Sequence, residues 1–172
     1  METRILQVDG RATAWRWGPE GAHVSEPSFS PDGRWLAYQS TESGRWEVWV
    51  RPFPGPGPKQ RVSGRDGGFA PAWSSDGREI FYVERLKDNR IMSRRVESAF
   101  PLRLAAASRV AFSLPFALDN GIADLSQAFA VAPDARRVLV VQTDERAPNE
   151  INTLNVITNW PEEVKAKLRS RP

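Results

Sequence analysis

Short apolar runs and compact polar turns alternate along this chain. Phe29-Ser30-Pro31-Asp32-Gly33-Arg34-Trp35-Leu36-Ala37-Tyr38 sets the pattern: an aromatic residue, a polar turn, then a run without polar interruption. The order returns as Trp73-Ser74-Ser75-Asp76-Gly77-Arg78-Glu79-Ile80-Phe81-Tyr82, and more loosely as Val131-Ala132-Pro133-Asp134-Ala135-Arg136-Arg137-Val138-Leu139-Val140. Ser-Pro-Asp-Gly suits a type I turn, with serine first, proline presetting φ at the second position and glycine at the fourth. The β-prone flanks predict two antiparallel strands around each turn. Trp35 to Tyr38, Ile80 to Val83 and Val138 to Val141 are apolar at successive positions. Such strands belong in sheets covered on both faces.

Further strands follow in each unit. Third strands are predicted at Trp46 to Arg51, Arg90 to Val96 and Ile151 to Thr158. A fourth is expected at Lys59 to Val62, and another somewhere within Leu102 to Phe112. The first two turn aspartates lie 44 residues apart and the next pair 58 apart, so the second unit carries an insertion. Four strands in about 40 to 45 residues is the period of a propeller blade. The expected fold is therefore all-β: a partial β-propeller of about three four-stranded antiparallel blades. The units are 26–66, 67–112 and 126–160, within a propeller segment 1–160. Arg4 to Val8 and Ala12 to Trp17 read as two extra strands, a half blade within 1–17. Pro161-Glu162-Glu163 followed by Lys165, Lys167, Arg169 and Arg171 predicts a short C-terminal helix over 161–172. Propellers close with four to eight blades. This expectation implies missing blades in a longer chain or pairing between copies.

Composition narrows the function. The chain has 172 residues, 40% hydrophobic and 26% charged, which suits a soluble globular protein. There is no cysteine and one histidine, His23. Thiolate chemistry and multi-imidazole metal sites are thereby excluded. The net charge is +3, of which the tail 161–172 supplies +2, so the body offers no basic footprint for nucleic acid. No apolar run is long enough to span a bilayer. Met1 to Gly10 carries Glu2, Arg4 and Asp9, unlike a secretory signal. The compartment stays open.

The units Phe29 to Tyr38 and Trp73 to Tyr82 resemble the TolB-type, WD-repeat-like β-propeller family. Glu47-Val48-Trp49-Val50-Arg51-Pro52-Phe53-Pro54-Gly55 and Ile151 to Trp160 are similar to strands of a bacterial branch in which propellers often follow a serine/threonine kinase domain. The resemblance runs from about Ser25 to Trp160 and implies a fold, not an activity. Two departures stand out. Ala135 replaces the turn glycine, so the third hairpin is expected to turn differently if that position needs a left-handed backbone, where alanine costs about 1 kcal/mol. The kinase signatures are absent from this sequence.

Candidate chemistry reduces to little. There is no Gly-x-Ser-x-Gly elbow. Gly55-Pro56-Gly57-Pro58-Lys59 is not a P-loop, because its prolines lack the N–H groups that hold phosphate. Asp32, Gly33, Asp76, Gly77 and Asp134 are expected to be structural turn residues, with aspartate accepting local backbone hydrogen bonds. Seven tryptophans call for a packing role: Trp35 and Trp73 in the core, Trp15 and Trp17 between blades, and Trp46 and Trp49 on opposite faces of one strand. The best recognition surface is the rim of loops, including His23, Ser25, Glu42, Arg45, Gly67, Gly68, Phe69, Arg85 and Asp88. Of these, His23, Arg45, Phe69 and Arg85 are the candidate partner contacts. The expected function is a non-catalytic module without cofactor or metal that binds a protein or peptide. The alternatives are a propeller remnant of a kinase- or peptidase-linked protein and a sensor of a small carbohydrate or peptide.

Overall fold

The computed structural model describes residues 3–5, 15–17, 20–55, 57–84, 89–115 and 129–140. The chain divides into two compact units, Met1–Gln142 and Thr143–Pro172, and every described residue lies in the first. The strand expected at Ile151 to Thr158 and the helix expected over 161–172 fall outside the described residues.

All described elements are strands, paired antiparallel. β1 (Thr3–Ile5) pairs with β2 (Trp15–Trp17), and the rest of the two strands expected there lies outside the described residues. A four-stranded sheet follows: β3 (Val24–Phe29), β4 (Trp35–Ser40), β5 (Glu47–Pro52) and β6 (Gln60–Arg61), in that order. The second sheet holds β7 (Gly68–Trp73), β8 (Glu79–Glu84), β9 (Arg90–Ala99), β10 (Leu102–Leu104) and β11 (Arg109–Ser113). β10 and β11 both pair with β9, β11 along its first half and β10 along its second. The expected single fourth strand is thus split in two. β12 (Phe129–Val131) and β13 (Val138–Val140) form a third hairpin.

Alternation of side chains stacks these sheets. Trp35 and Ala37 of β4 face Ile80 and Tyr82 of β8 in one core cluster, with Val48, Val50, Val62, Met92 and Val96. Leu36 and Tyr38 project to the other side and pack with Val24. Phe81 and Val83 project away from the first sheet, onto Phe129, Val138 and Val140. β4 and β8 are therefore enclosed on both faces, as their unbroken apolar sequence requires. A buried side chain of this size contributes about 1.5–3 kcal/mol.

The third hairpin differs. Val138 and Val140 pack inward, but Leu139 is 72% exposed. The expectation of a strand covered on both faces fails there, because among the described residues no sheet lies beyond it. Ala135 does not change the turn. Its φ of 54° is left-handed like the 70° of Gly33 and Gly77. Its amide donates to Ala132 O at 2.8 Å, as Gly33 N does to Ser30 O at 2.8 Å and Gly77 N to Ser74 O at 3.0 Å.

Candidate functional site

Each Asp turn is a closed hydrogen-bond relay. The Ser30 hydroxyl donates to Asp32 Oδ1 at 2.6 Å and accepts from Trp35 N at 3.0 Å, while Arg34 N donates to the same Asp32 oxygen at 3.1 Å. Ser74, Asp76, Arg78 and Glu79 repeat this at 2.7, 3.0 and 2.9 Å. In the third turn Ala132 takes the place of serine, and Asp134 Oδ1 accepts from Arg136 N at 3.0 Å. Hydrogen bonding holds all three carboxyls below the usual carboxylate range. The serine hydroxyl leads at Asp32 and Asp76, and the Arg136 amide leads at Asp134. The Oδ1 atom of each carboxyl is spent on the turn itself.

The loop rim is largely tied down as well. His23 is exposed, with its amide donating to Thr41 Oγ1 at 3.0 Å and its ring centroid 6.4 Å from that of Trp46. Ser25 Oγ accepts from Gln39 Nε2 at 2.8 Å. The Glu42 carboxylate pairs with Lys59 and accepts from the Tyr38 hydroxyl at 3.4 Å. Arg45 pairs with Glu47 at 2.7 Å, and that carboxylate is buried and also faces Arg61 at 3.4 Å. Gly68 N donates to Trp46 O at 3.2 Å, and Gly67 N to Gly64 O at 3.3 Å. Phe69 is not a surface contact: it is buried with Phe81, Val83, Ile91 and Phe129, because its position in β7 points into the core. Arg85 and Asp88 lie outside the described residues. Of the four candidate contacts, the structure keeps His23 and Arg45 at the surface.

An open cleft of about 420 Å³ runs instead along the second half of the first strands, β3, β7 and β12. Pro27, Ser28, Phe29, Trp73, Ser75 and Phe129 line it. Phe29 is 47% exposed and stands edge-on to Phe53, with ring centroids 4.9 Å apart. Trp73 Nε1 donates to Ser28 O at 3.1 Å, which fixes the indole against β3. Sequence reasoning missed this surface. The available signal was proline at matching places, Glu26-Pro27 and Ala70-Pro71, since proline within a sheet is confined to edges and bulges. Both strands do bulge there, between Ser25 and Ser28 and between Phe69 and Ala72. Glu26 and Ala70 take positive φ, 53° and 52°.

Among the described residues no group of three or more His, Cys, Asp or Glu is placed to hold a metal ion. No helix among them is long and apolar enough to cross a membrane.

No family model matches the chain. Over 78 residues the chain is 39% identical to Tricorn protease homolog 1 of Streptomyces coelicolor. The match covers 44% of this chain and 7% of that protein. The chain therefore corresponds to a small part of its curated relative.

Proposed function

We propose that the stacked sheets are successive blades of a TolB-type β-propeller, and that the chain is a non-catalytic module holding an extended peptide or protein segment in the cleft along β3, β7 and β12. The observation that carries this reading is the convergence of three first strands on one open, proline- and aromatic-lined groove. Aromatic and proline surfaces on a stiff scaffold suit segment binding, because little side-chain freedom is lost on contact. The rim makes a weaker candidate, since Ser25, Glu42 and Arg45 already have polar partners.

A degenerate decapeptide library on a solid support tests this with the purified chain. Binding is expected to be saturable and weakened at least tenfold by Ala130→Trp at the edge of the cleft, while His23→Ala leaves it unchanged. Chromatography of the eluted peptides is expected to show them intact. Loss of binding in His23→Ala or Arg45→Ala, with Ala130→Trp silent, would move the site to the rim. Cleaved peptides would overturn the non-catalytic reading.

A second reading has the likeness to the protease homolog in its favour: this segment belongs to a peptidase-linked protein and presents peptides to chemistry carried elsewhere. Fusing or mixing the chain with a peptidase partner would then raise cleavage of the same peptides that bind the cleft.

A further inference from the structure

We propose a second binding site, a cation site between the Asp32 and Asp76 turns, with a small organic cation of the guanidinium or quaternary-ammonium class as its ligand. A cavity of about 120 Å³ lies there, lined by Trp35, Trp73, Pro31, Asp32, Asp76 and Leu102. A water takes up about 30 Å³ of liquid, so the space suits a head group of roughly four or five heavy atoms.

The lining selects charge as well as size. Both indole N–H groups are committed, Trp35 Nε1 to Ala99 O at 3.0 Å and Trp73 Nε1 to Ser28 O at 3.1 Å. The Ser30 hydroxyl is committed to Asp32. What these groups leave for a ligand is aromatic π-surface and carboxylate oxygen, not donors. Aromatic surface beside carboxylate attracts cations, more strongly as the pair is desolvated. Each aspartate uses Oδ1 for its own turn, so Oδ2 is the carboxylate oxygen that the turn leaves over.

Arg78 is the internal competitor. Its Nε stands 3.8 Å from Asp76 Oδ2, with the arginine side chain 80% exposed. A contact so long and so hydrated is worth little, and an incoming cation displaces it at small cost. The two indole bonds also brace the walls. Trp35 bridges from the first sheet to the end of β9 and Trp73 from the second sheet to β3, so the cavity is preformed by the same contacts that join the sheets.

The site shares Pro31 and Trp73 with the cleft but has its own carboxylates, Asp32 and Asp76, and small probes test it. Tetramethylammonium and methylguanidinium chloride are titrated into 15N-labelled protein, with tert-butanol as the neutral counterpart. The indole N–H resonances of Trp35 and Trp73, assigned with Trp35→Phe and Trp73→Phe, are expected to shift saturably with a cation and not with tert-butanol. The other five tryptophans should stay still. Asp32→Asn with Asp76→Asn keeps the Oδ1 acceptors and is expected to raise the Kd at least fivefold. Raising salt from about 20 to about 300 mM, which shrinks the Debye length well below 10 Å, should weaken binding in the unaltered chain. Equal response to tert-butanol, no saturable shift with either cation, or indifference to salt overturns the proposal. If only one of the two cations shifts the resonances, that cation's class is the ligand.

Discussion

Ala135 holds φ 54° at the turn position where Gly77 holds 70°. The left-handed region crowds a Cβ against the following carbonyl, costing roughly 1–2 kcal/mol. Glycine avoids that cost but loses more freedom on folding. Ala135→Gly is therefore expected to stabilise the chain by about 0.5–1 kcal/mol. Gly33→Ala should do the reverse by a similar amount, since a Cβ there meets nothing within 4 Å and only the backbone is strained. Urea unfolding of the two variants checks both signs. If both substitutions destabilise, the third turn does not share its sisters' geometry.

The serine relay gives a second expectation. Ser74→Ala leaves Glu79 N without its 2.9 Å acceptor and Asp76 without its 2.7 Å donor. Loss of about 1–2 kcal/mol is expected. The third turn already lacks this hydroxyl at Ala132, so Ala132→Ser should recover part of such a contribution. Thermal unfolding of the two variants measures the difference.

Acid should weaken the turns. Asp32, Asp76 and Asp134 have carboxyls held below their usual range. A depressed folded pKa adds stability that is complete above the unfolded value, about 3.9, and is lost as pH falls through the folded value. Unfolding midpoints should therefore be flat with respect to these three groups from pH 7 to about 5 and fall below about 4. Asp76→Asn should flatten part of that fall. A midpoint that rises on acidification in the unaltered chain, and falls in Asp76→Asn, would reverse the sign argued here.

Gln39 joins two sheets. Its Oε1 accepts from Ala70 N at 2.8 Å, at the left-handed bulge of β7, while its Nε2 donates to Ser25 at 2.8 Å. Gln39→Leu keeps the volume and leaves a buried amide without an acceptor. A loss of about 1–3 kcal/mol is expected. Hydrogen exchange should show the Ala70 amide losing protection more than its neighbours in β7. Uniform loss across the sheet would mean that the bond is not specific to the bulge.

Glu47 is a buried carboxylate whose cations remain half in water. Arg45 and Arg61 face it with side chains 42% and 48% exposed. Removing the carboxylate lets both cations hydrate, so Glu47→Ala should cost about 1–3 kcal/mol, less than for a pair whose remaining charge is fully buried. Arg45→Ala should cost less than Glu47→Ala. Denaturant midpoints in a double-mutant cycle measure the coupling.

The recurring turns and the doubly apolar strands were readable along the chain because their causes are local. A Ser-x-Asp-Gly segment carries its own donors and acceptors, and an unbroken run such as Leu36-Ala37-Tyr38 has no polar face to offer water. Phe69 reads along the chain as a loop contact for the opposite reason. Glycines precede it, and its burial comes from Phe81, Val83, Ile91 and Phe129, the last of them sixty residues later. The split of the outer strand into β10 and β11 is not legible along the chain, because both segments are short and their register is set by the long partner β9.

The sequence by itself determined where the chain turns, which runs need cover on both faces, and that thiols and clustered imidazoles take no part. Those properties follow from composition and from bonds spanning a few residues. Only the tertiary structure decided that Trp35 and Trp73 brace one sheet against the next, that Glu42 and Arg45 on the rim are already paired, and that β3, β7 and β12 border a common cleft. Such relationships join residues dozens of positions apart, and they arise from how side chains on facing sheets share volume and hydrogen bonds, which no local pattern encodes.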